Sequence, residues 1–323
     1  MKISLALATY NEELNIADCI ASCKGLVDEI IVVDGSSTDK TGELALHAGA
    51  TVIRTQNKQM FHINKQKAID ACTGEWILQL DADERVTPEL ASEIKRIIGM
   101  TNEEIEVYQG SLKEKKLFER HQKLVFNLKL ETQNLSNKKL QATSYKLQSE
   151  YNAFFIPRLN YFLGGYLHYG GVYPDGVIRL IRRGKAHLPC RDVHELMEVE
   201  GQTGWLASPL IHKDSPTFKR YLERNSRYID YLVEELKAKS SKLKAKSEKL
   251  KAQSLIDLVC LQLSAFSFQL WQGINWLVFL PLSTFFSLLI RHKGILDGWR
   301  GVVFAFFSAI RFARAYFRYT MRG

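Results

Sequence analysis

Asp81 and Asp83 stand one residue apart where the apolar run EWILQL gives way to DADE. Two carboxylates at that spacing, at the end of a strand, can converge through a turn on one cation. Hard divalent cations such as Mg²⁺ and Mn²⁺ take oxygen ligands and commonly share them with substrate phosphates. Bound there, such an ion offsets the negative charge that develops on a departing diphosphate. The plainer alternative is one aspartate capping a helix and another solvated. Asp34 closes a second apolar run, EIIVVD, and Gly-Ser-Ser-Thr-Asp follows it. Its carboxylate can accept a base or ribose hydroxyl, while Ser36 and the loop backbone offer donors; the alternative is a tight turn with an N-cap. Thr9, Tyr10, Asn11 and Glu12 end a third run, with types that can frame a nucleobase by stacking and hydrogen bonding. Lys65, shortly before the DADE strand, is placed to reach a phosphate, although a lone lysine is more simply a surface charge.

The elements that must carry these residues alternate in kind. Residues 2–8, Ile30–Val33, ATVIRT and EWILQLDADE read as strands. Residues 13–23 and 61–72 read as helices, with Leu14, Ala17, Ile20 and Ala21 on one face of the first. A further helix is expected from Ser37–Asp39, which are N-cap types, and another from TPELASEIKRII, with Thr87 as N-cap and Pro88 at its first position. Strands that are continuously apolar are buried on both faces, which predicts a mostly parallel sheet with helices on each side. Ligands of open α/β sheets bind beyond the carboxyl ends of the strands. TYNEE, DGSSTD and DADE all fall at such ends.

The rest of the chain changes character. Residues 102–150 are rich in Lys, Gln, Glu and Asn and read as a charged helical or disordered insertion. A seven-residue repeat, KAKSSKL, KAKSEKL, KAQSLID, sets Leu243 and Leu250 in register, too thin a seam for a coiled coil. From Ser254 to Ile290 the chain is strongly apolar, and Pro281 is expected to break it. Its clean part, Ile274–Ile290, has 17 residues, the lower limit for a membrane span. Arg311, Arg314 and Arg318 recur three and four apart, one cationic stripe against aromatics, which suggests a helix lying on a membrane surface. The net charge of +9 is concentrated in this C-terminal part. The repeats lack interleaved aromatics, so no nucleic acid partner is expected. Five cysteines show no metal or disulfide spacing, which fits a reducing compartment, and Cys19 and Cys23 read as small buried side chains. The first residues read as a strand rather than a secretory signal.

ATYNEE, VDGSSTDKT, the Asn64–Ala68 pattern and GEWILQLDADE together resemble glycosyltransferase family 2. FIPRLNYFLGGYLHYGGVYPDGVIRLIRR, VHE, IH and KGILDGWRG are similar to its WaaE/KdtX-like lipopolysaccharide core subfamily. The resemblance implies a GT-A fold (Rossmann-like, mostly parallel sheet) with C-terminal membrane-associated helices. It also implies a nucleotide-diphospho-sugar donor, most simply a UDP-sugar, a Mg or Mn cofactor, and inversion at the anomeric carbon. It implies Asp81 and Asp83 as metal ligands with His212 as a third. It places the general base at Glu195 or Asp192, with Asp175 as another candidate. Arg179 and Arg182 lie on opposite faces of one strand, so only one is expected to meet diphosphate or an anionic acceptor. The acceptor implied is a lipid-linked glycan at the cytoplasmic face of the membrane. A polyprenyl-phosphate glycosyltransferase and a non-catalytic membrane-bound interaction protein are the rival readings. The expected segments are 1–101 (donor half), 102–150 (insertion, expected to loop out), 151–230 (acceptor half), 231–253 (Lys-rich linker) and 254–323 (membrane-associated helices).

Overall fold

A computed structural model describes residues 1–57, 60–132, 150–191, 196–249 and 270–322. The chain forms two compact units, Met1–Asn160 with Tyr173–Lys213, and Tyr161–Val172 with Asp214–Gly323.

In the first unit, β1 (Ile3–Thr9), β2 (Glu29–Asp34), β3 (Thr51–Arg54) and β4 (Trp76–Leu80) are the apolar runs seen in the sequence. They pair in parallel in the order β4-β1-β2-β3. Between them run α1 (Ile16–Ser22), α2 (Thr41–His47) and α3 (Phe61–Asp70). Alternation along β1 explains the two layers of helix. Leu5 and Leu7 share a core with Ile16, Cys19 and Ile20, whereas Ala6 faces Ala68 and Ile69. The start of α2 differs from expectation. Its N-cap is Lys40, because the Asp39 carboxylate accepts from the Thr41 N–H and hydroxyl, and the Ser37 side chain turns back to Asp34.

β5 (Glu84–Arg85) and α4 (Pro88–Ile98) follow, and the Thr87 hydroxyl caps α4 by accepting from the Leu90 N–H at 3.1 Å. α5 (Asn102–Ser111) and α6 (Lys115–Thr132) occupy the first part of the expected insertion. They do not loop out. Ile105 and Phe118 are buried, and the Phe118 ring stacks on Trp205 with centroids 4.4 Å apart. The apolar residues scattered among the charges find partners, Phe155 and Trp205, that lie far along the chain.

β6 (Tyr151–Ile156), β7 (Arg158–Phe162), β8 (Gly165–Leu167) and β9 (Val177–Arg182) come next. β10 (Ala186–His187), β11 (Glu198–Val199), β12 (Gln202–Trp205) and β13 (Leu210–Ser215) complete the strands among the described residues. β9 enters the sheet between β4 and β6, antiparallel to both, and β12 lies parallel to β6. The resulting order is β12-β6-β9-β4-β1-β2-β3, a mostly parallel α/β sheet flanked by helices, as expected. β5 pairs with β13 in antiparallel register, His212 opposite Glu84.

In the second unit, α7 (Phe218–Lys249) absorbs the first part of the Lys-rich repeat. Its Ile229, Val233 and Leu236 pack with Trp276 and Ala315. A helix spans Leu270–Arg291, and the last helix runs Trp299–Arg322. Pro281 does not break the former, since wider π-type turns at Asn275–Phe279 and Ser287–Arg291 re-space the backbone bonds on either side. That helix is long and apolar enough to cross a membrane, at a mean hydropathy of 1.8, and only 11% of its most apolar stretch is buried. Residues 254–269 of the expected apolar segment lie outside the described residues. Two of the three arginines of the expected cationic stripe have partners on α7. Arg318 binds Asp230 and Ser226, and Arg311 lies over the Tyr228 ring, because α7 presents those partners to the last helix.

Candidate active site

Parallel register brings the polar loops to one edge of the sheet, with Thr9 beside Asp34 and Leu7 beside Leu80. The first two loops are stitched together. Gly35 N–H donates to Thr9 O at 2.9 Å, Asn11 N–H to Ser37 Oγ at 2.9 Å, and Thr38 N–H to Asn11 Oδ1 at 2.9 Å. Glu12 N–H donates to the Thr41 hydroxyl at 2.7 Å, and its carboxylate accepts from Asn15. Asn11 and Ser36 adopt positive φ (54° and 63°), which the crossing of the two turns imposes. Asp34 is only 2% exposed, and its carboxylate accepts from the Ser37 N–H and hydroxyl. Asp34 thereby shapes its own turn. Ser36 donates its hydroxyl to Thr55 O at 2.8 Å, Tyr10 is exposed, and the buried Thr9 hydroxyl has no hydrogen-bond partner among the described residues.

The acids after β4 are embedded in charge. Lys65 Nζ contacts Asp81 Oδ1 and lies 5.1 Å above the Phe61 ring. Arg179 Nη2 lies 2.6 Å from Asp81 Oδ2 and 2.7 Å from Glu84 Oε1, and Arg179 Nη1 donates to Gln79 at 2.5 Å. Arg158 reaches Glu84 at 3.4 Å and Asp175 at 2.8 Å. Burial by itself would raise the Asp81 pKa, but the charges of Arg179 and Lys65 outweigh it and hold the carboxyl well below the usual carboxylate range. Three cations, Lys65, Arg179 and Arg158, thus balance three carboxylates, Asp81, Glu84 and Asp175.

Asp83 stands outside that balanced set. The β5–β13 register and a Lys213 N–H to Asp83 O bond of 2.8 Å bring His212 beside it, Nε2 to Oδ2 at 3.5 Å. Burial pushes the Asp83 carboxyl up, and the hydrogen bond and charge of His212 pull it below its ordinary value. Asp83 and His212 have the donor chemistry of a divalent cation site that is completed by substrate phosphates. Asp81 fits that site less well, since both of its oxygens already serve cations. Among the described residues no group of three or more His, Cys, Asp or Glu side chains converges at ligating distance. Asp83 and His212 thus stand as a pair, beside an Asp81 flanked by Lys65 and Arg179.

The remaining expectations divide. Asp175 is held by Arg158 at 2.8 Å and by Asn160 Nδ2 at 3.1 Å. Arg179 and Arg182 do face opposite ways: the first is buried behind Asp81, and the second meets Glu150 at the surface. Asp192 and Glu195 lie outside the described residues. Cys19 and Cys23 are buried, and desolvation raises both thiols, Cys23 to about 12, so neither is a nucleophile. Sequence reasoning missed Glu84, Arg158 and Asn160. Glu84 was visible as the last acid of DADE, but its partner Arg158 is 74 residues away and Arg179 is 95 away, separations that leave no local signal.

An open α/β sheet that gathers acids, a lysine and a histidine at its carboxyl edge belongs to the ligand-binding α/β domains. Residues 4–158, from β1 to the start of β7, match the family model described as Glycosyl transferase family 2. Among curated relatives, an uncharacterized glycosyltransferase of Rickettsia typhi is 41% identical over 103 residues, 32% of this chain and 35% of the relative. Glycosyltransferase SunS of Bacillus phage SPbeta is 31% identical over 97 residues, 29% of this chain and 23% of the relative. The chain thus spans about a third or less of the length of these relatives. Among solved structures, glucosyl-3-phosphoglycerate synthase from Mycobacterium tuberculosis with Mn²⁺, UDP and glucosyl-3-phosphoglycerate shares 30% identity, at a TM-score of 0.23 over 26% of this chain and 34% of that one. S. aureus TarS with UDP-GlcNAc shares 26% identity, at a TM-score of 0.28 over 30% of this chain and 31% of that one. The fold assignment rests on strand order and pairing, independently of these superpositions.

Proposed function

We propose that the protein is an inverting, metal-dependent glycosyltransferase. It takes a sugar from a nucleotide-diphospho-sugar, most simply a UDP-sugar, and passes it to a hydroxyl of a lipid-linked or lipopolysaccharide-type glycan at the cytoplasmic face of a membrane. The observation that carries this reading is the Asp83–His212 pair at the carboxyl edge of the sheet, next to an Asp81 already neutralised by Lys65 and Arg179. The family 2 match and the relatives named as glycosyltransferases support sugar transfer. The WaaE/KdtX-like residues from 155 onward support the acceptor class. The exposed apolar helix ending in Arg291, with Lys293 just beyond, supports a membrane surface.

Mn²⁺ or Mg²⁺ held by Asp83, His212 and the donor phosphates would supply Lewis-acid stabilisation of the departing diphosphate. Asp81 holds Lys65 and Arg179 in place beside that pair. Glu195, with Asp192 as the alternative, takes the proton of the acceptor hydroxyl as its oxygen bonds to the anomeric carbon. The bond from that carbon to the diphosphate oxygen breaks on the opposite face, which inverts the configuration.

The test is a screen of nucleotide-sugars with the purified full chain and a membrane extract as acceptor, read as metal-dependent nucleotide release. Asp83→Ala and His212→Ala should each lose at least about 100-fold. Metal-independent turnover, or full activity in Asp83→Ala, would refute the metal role. A Glu195→Gln enzyme that keeps its rate would point instead to a phosphate nucleophile, which needs no strong base.

A further inference from the structure

We infer that Asn160 is a positioning residue that fixes the tautomer of His212, and that Asp175 sets the orientation of Asn160. This rests on the assignment of Asp83 and His212 as the cation pair. The reasoning starts at Asp175, a carboxylate held at 2.8 Å by Arg158, which can only accept hydrogen bonds. Its contact with the Asn160 amide, 3.1 Å, must therefore be a bond from Nδ2, the donor end. The other end of the same amide, Oδ1, is an acceptor, and it lies 2.5 Å from His212 Nδ1. Nδ1 must carry the proton. In the neutral ring Nε2 then presents a lone pair towards Asp83 Oδ2 at 3.5 Å, and only a second proton on the ring lets it donate there.

Two acceptors facing each other repel unless a cation or a second proton lies between them. With the opposite tautomer, Nε2–H would satisfy Asp83 directly and close the pair to a metal. The chain from Asp175 through Asn160 selects the arrangement that holds it open to one. Its members sit in a rigid setting. Asn160 and His212 are 8% and 6% exposed. Arg158 also donates through Nε to the Asp175 carbonyl at 3.2 Å, and the next residue, Gly176, lies so close to the Trp205 ring that an added Cβ would come within 2.1 Å of it. An outer partner that orients a ligating imidazole is worth about 10–100-fold in metal affinity.

The experiment uses the full chain, metal-free and then titrated with Mn²⁺ alone. Long-range ¹⁵N–¹H spectra of His212, at alkaline pH where the ring is neutral, should show the Nδ1–H tautomer in the parent. Asn160→Leu removes the acceptor and should move the ring to Nε2–H, with Mn²⁺ affinity by electron paramagnetic resonance falling about 10–100-fold. Asp175→Asn is nearly isosteric and serves if Asn160→Leu fails to fold. It frees the Asn160 amide to turn over and should give mixed tautomers and a smaller loss of affinity. A His212 ring that stays Nδ1–H in whichever variant folds, or an unchanged Mn²⁺ affinity there, overturns the inference. His212→Ala and Asp83→Asn test the underlying assignment separately. If both keep parental Mn²⁺ affinity, the cation reading fails even where the tautomer shift is seen.

Discussion

Arg179→Met isolates the charge that holds the acidic edge together. The side chain is buried, and methionine keeps most of its apolar volume while removing the guanidinium. Glu84, with a fully buried side chain, then loses a 2.7 Å partner and keeps Arg158 at 3.4 Å. Asp81 loses its 2.6 Å partner and keeps Lys65, and Gln79 loses a donor. Breaking a buried ion pair from one side costs about 3–5 kcal/mol, because a desolvated charge is left behind. For a unit of this size that is a fall in Tm of about 6–20 °C. The pH dependence follows from Asp81. In the parent its folded pKa is depressed, so its contribution is fully present above the unfolded value and is lost as pH falls through the folded one. In the variant, burial acts against less opposing charge, and the cost appears above the carboxylate range and fades below it. Urea denaturation at neutral pH and at about pH 4 measures both. A deficit under about 1 kcal/mol, or one of equal size at both pH values, would show that Arg179 is not the balancing charge.

Phe118→Ala should cost about 3–5 kcal/mol by urea titration, since the ring fills a cluster with Phe155 and Trp205; a cost below about 1 kcal/mol would mean that α6 is not docked. Gly176→Ala places a methyl within 2.1 Å of the Trp205 ring, which is itself stacked between Phe118 and Phe155, and should cost about 1–3 kcal/mol or more in the same assay. Chelation with EDTA should abolish nucleotide release, and Mn²⁺ should restore it; activity that survives chelation speaks against Asp83 and His212 as a cation pair. The full chain should float with anionic vesicles. Replacing exposed Val278, Leu282 and Phe286 with serine removes roughly 1.5–3 kcal/mol of burial each and should lower partitioning by at least about 100-fold; unchanged flotation would remove this helix from the membrane contact.

What could be read along the chain is what local physics dictates. Continuous apolar runs gave four parallel strands, their polar ends marked one edge of the sheet, and Thr87-Pro88 announced a helix that begins there. Each of these depends on neighbours within a few residues, through side-chain alternation, capping and turn chemistry. The donor-edge acids were legible for the same reason. Their roles were not. Asp34 accepts from Ser37 and so shapes its own turn, and Asp81 lies between Lys65 and Arg179, contacts that the sequence did not show. Arg311 and Arg318, two of the three arginines of the stripe read in the sequence, meet Tyr228 and Asp230 of α7 in the structure. A charged group's function depends on which opposite charge stands within a few ångströms, and here those partners lie up to 129 residues away in the sequence, Asp83 from His212. Strand register decides such meetings: the pairing of β5 with β13 puts His212 opposite Glu84 and so beside Asp83. A period of two or 3.6 residues carries no information about that register between distant segments, so the acids could be found from the sequence, while their partners had to come from the packed chain.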